Sequence, residues 1–137
     1  MAYKTMKKKP GFSYTQVQLN TAGPGNRVVM MYDGILKNLR MAKEKMKMND
    51  PAEIEATHNH LQLAERLILE LKLALDHDKG GEIATNLDSL YTFWIDHISQ
   101  ANMNKDQSRI VEVISMVKSL RDAWDQAAKE ALKMGIV

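Results

Sequence analysis

The chain has 137 residues, of which 45% are hydrophobic and 26% charged, which is enough for one domain that buries a core without disulfides. The net charge of +2 and the lack of cysteine argue against a dedicated nucleic-acid binder, a thiol nucleophile and a thiolate metal site. Residues 1–9 are basic but lead into Pro10, and no run of eighteen apolar residues occurs. We therefore expect a cytoplasmic protein with neither a secretory signal nor membrane insertion.

The chain divides into an N-terminal arm and a helical region. Residues 1–23 are predicted to be irregular, because Gly, Ser, Thr and Asn separate the few apolar residues there. The rest is rich in Leu, Ala, Lys and Glu, and it lacks the short alternating runs from which strands are built. The sequence predicts an all-α class, with the folded region over residues 24–134.

Four segments carry apolar residues at alternating spacings of three and four, which predicts helices at about 25–48, 51–78, 82–103 and 105–133. Asp50 and Pro51 form a strong helix start, and Glu53 is placed to complete a capping box. Gly80 and Gly81 are expected to end the second helix. Because the three loops are short, neighbouring helices must be antiparallel. We predict an up-down antiparallel four-helix bundle.

The second helix carries more leucine than one core-facing stripe requires. At 100° per residue, Leu63 and Leu67 lie on one flank of its seam, and Leu69 and Leu73 lie on the other. A surplus of this size favours an interaction surface, because contiguous exposed apolar patches mark binding sites.

The first and third helices show a smaller surplus. Tyr91 and Ile95 widen the apolar face of the third helix, and Met30, Met41 and Met48 fall on one outward line of the first. Methionine on a surface adapts to irregular partners. A bound partner, the N-terminal arm and a second copy of the chain are all compatible with this surplus at this point.

Helical bundles can carry out two kinds of chemistry that leave a signature in the sequence. A di-metal oxidase needs Glu-x-x-His on two helices, and the sequence contains this motif once, at Glu55 and His58. A phosphotransfer bundle needs an exposed histidine, for which His97 is the candidate, but the lysine and glycine usual beside such a histidine are missing. We therefore expect no catalytic residue, no metal site and no cofactor.

Several short motifs follow one another in order from Tyr14 to the end of the fourth predicted helix. They are Tyr14, Thr21-Ala22-x-Pro24, Met31-Tyr32-Asp33-Gly34, Gly80-Gly81-Glu82-Ile83-Ala84-x-Asn86-Leu87-x-x-Leu90-Tyr91, Ala101-Asn102, Asp106 and Arg121-Asp122-Ala123-Trp124. Each motif is weak alone, but together, at these spacings, they resemble the flagellar secretion chaperone family (FliS).

The resemblance implies a chaperone without turnover that binds the disordered C-terminal segment of flagellin, prevents premature polymerisation and keeps it export-competent. It also implies that the N-terminal arm contributes to partner contacts, and it leaves other flagellar export components open as partners. Combined with the surplus apolar residues, it gives an expected partner-binding set of Tyr14, Val17, Leu19, Met30, Leu63, Leu67, Leu69, Leu73, Tyr91 and Ile95. For Tyr91 a place in the core is the alternative, since buried aromatics dominate core energetics.

Overall fold

A computed structural model describes residues 24–47 and 50–133, which form four helices. Helix α1 spans Pro24–Lys45, α2 spans Pro51–Leu73, α3 spans His77–Asn104 and α4 spans Gln107–Lys133. Each helix packs against its neighbours in the sequence, and α4 packs against α1, so the four close into a ring. The predicted all-α class and four-helix bundle are confirmed. The predicted arm at 1–23, Met48 and residue 134 lie outside the described residues.

The turn between α1 and α2 is held by the predicted cap. The side chain of Asp50 accepts a hydrogen bond from the backbone N–H of Ala52 at 3.0 Å, and Pro51 occupies the first turn. Glu53 differs from the capping-box prediction: its carboxylate pairs with Lys45 of α1 at 3.1 Å. The cross-helix ion pair replaces the local contact and ties the end of α1 to the start of α2.

The junction between α2 and α3 lies earlier in the chain than the sequence suggested. Helix α2 ends at Leu73 rather than near residue 78. A single turn from His77 opens α3, and regular helix resumes after Gly81, close to the predicted start near residue 82. The physical reason is Asp76, whose side chain caps α3 by accepting a hydrogen bond from the backbone N–H of Lys79 at 3.0 Å. The glycine pair therefore lies inside the first turns of α3, where Gly81 adopts φ 51° and ψ −126° and kinks the helix.

The core runs along the ring axis and takes residues from all four helices. Its largest fully buried side chains include Trp94, Tyr32, Ile35, Leu39, Leu61, Ile68, Ile98, Ile110, Val113 and Val117. Burying one such aliphatic or aromatic side chain contributes about 1.5–3 kcal/mol, so this set dominates the free energy of folding. Within the two described ranges, no helix combines the length and hydropathy needed to cross a bilayer.

Replacing Gly81 with alanine tests the kink in α3. A residue with a Cβ adopts this positive-φ conformation only at a cost of about 1–3 kcal/mol, so Gly81→Ala should lower the free energy of unfolding by that amount. Urea unfolding followed by circular dichroism measures the difference. The exposed neighbour Glu82 gives a control, since Glu82→Ala should change stability by less than about 0.5 kcal/mol. Equal stabilities for the two variants would contradict the strained geometry.

Candidate partner-binding surface

Large apolar side chains remain exposed mainly on α2 and α3. In the described part of the chain, nine large hydrophobic residues are exposed, and seven of them lie on these two helices: Ile54, Leu63, Leu69 and Leu73 on α2, and Ile83, Phe93 and Met103 on α3. Leu73 is the most open, with 75% of its surface exposed. The packing of the four helices therefore leaves apolar surface uncovered, and it does so on one half of the ring.

The seam between α1 and α2 is closely matched. The ring Nδ1–H of His60 donates to the Asn38 Oδ1 at 2.9 Å, while the Asn38 amide nitrogen donates to the carbonyl of Gly34 at 2.9 Å. A Cβ at Gly34 would lie 3.1 Å from the Cδ1 of Leu67, so the glycine leaves room for this leucine. Leu67 is therefore partly buried against the core, whereas Leu63, one turn earlier on this edge, is 41% exposed.

His60 is held in its neutral form in this seam. Burial lowers the pKa of His60, and the positive charges of Lys45 and Lys37 lower it further. A neutral ring can still donate one hydrogen bond from Nδ1, and it adds no positive charge beside these two lysines. The seam thus combines a polar tie with apolar packing.

Two polar pairs join α2 and α3, one near each end of the seam between them. The Lys72 ammonium lies 3.0 Å from the Asp88 carboxylate, and the His58 Nδ1 lies 2.8 Å from the amide nitrogen of Asn102. Both α2 residues lie on the α3-facing side of the helix, and Leu69 and Leu73 lie outward of that line. We refer to Leu69, Leu73 and Ile95, with Glu65 between the polar pairs, as the α2–α3 surface.

Tyr91 does not belong to this surface. Its side chain is 2% exposed, and its hydroxyl lies 2.7 Å from the hydroxyl of Tyr32 across the core. The ring of Trp94 packs beside it, with ring centroids 5.5 Å apart. Burial raises the pKa of both tyrosines, so both hydroxyls stay protonated and hydrogen-bonding. The expected partner-binding role of Tyr91 is therefore corrected to a core role. Although Tyr91 lies at the edge of the apolar seam of α3, its side chain points toward the ring axis.

A second contact network joins α3 and α4 around His97. The His97 Nε2 lies 2.7 Å from the Glu112 carboxylate, and its Nδ1 lies 3.2 Å from the Arg109 guanidinium. The ring stacks on Phe93 with centroids 4.9 Å apart and an angle of 24°. Both nitrogens are thus engaged in cross-helix contacts, an arrangement that favours a packing role over transfer of a phosphoryl group.

The residues of the single Glu-x-x-His match lie on the surface. Glu55 and His58 are both exposed, and His58 contacts Asn102 as described above. Across residues 24–47 and 50–133, no group of three or more His, Asp or Glu side chains is placed to hold a metal ion.

The ten expected partner-binding residues fall into four groups, of which the buried Tyr91 is one. Leu63, Leu69 and Leu73 are exposed, whereas Met30, Leu67 and Ile95 are partly buried. Tyr14, Val17 and Leu19 fall outside the described residues. Sequence reasoning missed Ile83, which is 70% exposed although it fits the periodic spacing of the α3 seam. The available signal was its position two residues after the glycine pair, at the end of the bundle.

A four-helix bundle with an uncovered apolar surface on two helices is typical of helical proteins that bind another chain. A family model described as "Flagellar protein FliS" matches residues 7–131. The flagellar secretion chaperone FliS of Bacillus subtilis is 31% identical over 126 residues, covering 92% of this chain and 91% of that protein. The chain belongs to the FliS family of flagellar proteins.

Two other relatives agree with this assignment. The flagellar secretion chaperone FliS of Campylobacter jejuni is 36% identical over 112 residues, covering 82% of this chain and 85% of that protein. The flagellar secretion chaperone FliS of Salmonella typhimurium is 33% identical over 124 residues, covering 87% of this chain and 90% of that protein. The resemblance found in the sequence motifs is thereby confirmed, and with it the chaperone class.

The core role of Tyr91 can be tested by removing its hydroxyl. Tyr91→Phe leaves the buried Tyr32 hydroxyl without this partner, so the free energy of unfolding should fall by about 1 kcal/mol in urea titrations. Thr92→Val removes a neighbouring but exposed hydroxyl and should have a smaller effect. Weaker partner binding at unchanged stability would instead return Tyr91 to the binding surface.

Proposed function

We propose that this chain is a cytoplasmic export chaperone that binds the disordered C-terminal segment of flagellin. By covering that segment it prevents premature polymerisation and keeps flagellin competent for export, acting by binding and without turnover. The observation that supports this most is the exposure of Leu69 and Leu73, which the fold itself does not require. The names of its relatives, flagellar secretion chaperones, support the class of partner.

Recognition of a disordered segment requires a large apolar contact. Ordering the segment consumes about 2–5 kcal/mol or more of the gross interaction energy. Each leucine that becomes buried on binding contributes roughly 1.5–3 kcal/mol, so several exposed apolar side chains are needed for stable binding. Leu69 and Leu73 lie one helical turn apart, which suits a guest helix that presents apolar residues at spacings of three and four.

The N-terminal arm is proposed to take part in the same interaction. Residues Tyr14, Val17 and Leu19 are the apolar positions of the arm that the family resemblance associates with partner contacts. Helix α1 begins at Pro24, at the same end of the ring as the exposed Leu73 and Ile83, which is compatible with this role. The arm and the guest would then compete for this surface, which makes the arm a gate.

Polar substitutions on the α2–α3 surface test the proposed function. The double variant Leu69→Ser, Leu73→Ser should bind a peptide of the flagellin C-terminus at least tenfold more weakly, since each substitution removes apolar area from the contact. Its stability should change little because both side chains are exposed. Isothermal titration gives the affinity, and circular dichroism should show a gain of helix when the peptide binds the unmodified chain.

The matched control lies on the opposite half of the ring. Val111 of α4 is 48% exposed, close to the exposure of Leu69, so Val111→Ser removes a comparable exposed side chain away from the α2–α3 surface. This variant should bind the peptide with unchanged affinity. Absence of binding to the unmodified chain would overturn the proposed function, and equal losses in both variants would place the contact elsewhere.

Deletion of residues 1–20 tests the gate. If arm and guest compete for the α2–α3 surface, the shortened chain should bind the peptide more tightly, with the difference appearing mainly in the association rate. If the arm instead supplies essential contacts, the shortened chain should bind more weakly and release the peptide faster. An affinity equal to that of the whole chain would contradict any role of the arm in binding.

A further inference from the structure

Within the described part of the chain, one residue in the seam between α2 and α3 lacks a polar partner. His58, Glu65 and Lys72 are spaced seven residues apart, so they lie on one line along α2 that faces α3. The outer two have polar partners on α3, namely Asn102 for His58 and Asp88 for Lys72. Among the described residues, Glu65 makes no hydrogen bond or ion pair of this kind.

The register of the two helices explains why Glu65 has no polar partner on α3. Helix α3 runs antiparallel to α2, and Ile95 lies seven residues from each of the two α3 partners. Ile95 is therefore the residue opposite Glu65. An isoleucine has no donor for a carboxylate, and Ile95 is itself partly buried against the core. The register therefore places a carboxylate opposite an apolar side chain, between the two polar pairs.

The mismatch has an electrostatic cost in the free chain. Glu65 is partly buried, and this burial raises the pKa of its carboxyl group, while the nearby His58 partly offsets the effect. A carboxylate that is partly removed from water without a bound cation or donor is less stable than the same group in solvent. A neutral residue at this position would therefore give the free chain a more favourable free energy of folding than Glu65 does.

The surroundings favour a positively charged occupant. Helices α2 and α3 together carry eight acidic and three basic side chains, whereas α1 and α4 carry six acidic and ten basic ones. The half of the ring that exposes Leu69 and Leu73 is thus also its acidic half. A guest suited to this surface presents apolar side chains together with lysine or arginine.

We propose that Glu65 is a specificity-determining residue that forms an ion pair with a lysine or arginine of the guest segment. Apolar guest side chains then lie on Leu69 and Ile95, and the cation occupies the middle of the seam. This inference rests on the proposed function, because it assigns a chemical requirement to the guest of the same surface.

The variant Glu65→Gln separates this role from a structural one, because it is expected to act in opposite directions on stability and binding. It removes a partly buried charge, so at neutral pH the thermal midpoint of the free chain should rise or stay equal. It also removes the anion, so the affinity for the flagellin C-terminal peptide should fall about tenfold, with a smaller salt dependence. The control Glu70→Gln removes an equal charge from an exposed position of α2 and should change neither quantity.

A double-mutant cycle identifies the guest residue. Peptides in which each lysine or arginine is replaced singly by glutamine are titrated against the unmodified chain and Glu65→Gln. One peptide should lose about tenfold in affinity for the unmodified chain but little for Glu65→Gln. Equal losses for both chains with every peptide would overturn the ion pair.

The remaining outcomes are distinguishable. If the unmodified chain binds the peptide and Glu65→Gln binds it equally well, this inference fails and the proposed function stands. If the unmodified chain does not bind, both fail. If Glu65→Gln destabilises the free chain and tightens peptide binding, the partner of Glu65 is a lysine of residues 1–23, which carry four lysines and no acidic residue, and the inference is overturned.

Discussion

The hydrogen bond between Tyr32 and Tyr91 is the constraint on which the arrangement of the four helices depends. These residues belong to α1 and α3, which occupy opposite corners of the ring, and their hydroxyls meet at 2.7 Å. Trp94 packs against Tyr32 almost at right angles, with ring centroids 6.1 Å apart. Because a buried hydroxyl must keep its partner, this contact fixes both the spacing and the rotation of α1 and α3 about the axis.

With those two helices fixed, the orientation of α2 determines which of its apolar side chains remain exposed. Its core stripe faces the axis, and polar pairs occupy both flanks: Asn38 with His60 toward α1, and Lys72 with Asp88 toward α3. The flanks are thus closed without the surplus leucines, which lie outward of them. Apolar residues that folding does not use are retained at a cost in solubility, which is the expected balance in a protein that binds another chain.

Much of this organisation was predictable from the sequence, because helix class, the number of helices and the surplus on α2 follow from apolar periodicity. The early end of α2 was not, since the cap by Asp76 starts a helical turn at His77, and Gly81 then separates that turn from the rest of α3. Tyr91 lies at the edge of its seam, where helical angle alone does not separate core from surface. The lack of an α3 partner for Glu65 follows from the register between α2 and α3, and the apolar pattern of a single helix does not reveal that register.

The unequal sharing of charge between the two halves of the ring has a consequence before any contact is made. Acidic residues are in excess on α2 and α3, and basic residues are in excess on the opposite pair, α1 and α4. This gives the four helices an electric dipole directed across the ring. Within about 8 Å, the screening distance at physiological ionic strength, a cationic chain exerts a torque on that dipole. The molecule rotates to present its acidic half, so productive encounters form a larger share of collisions.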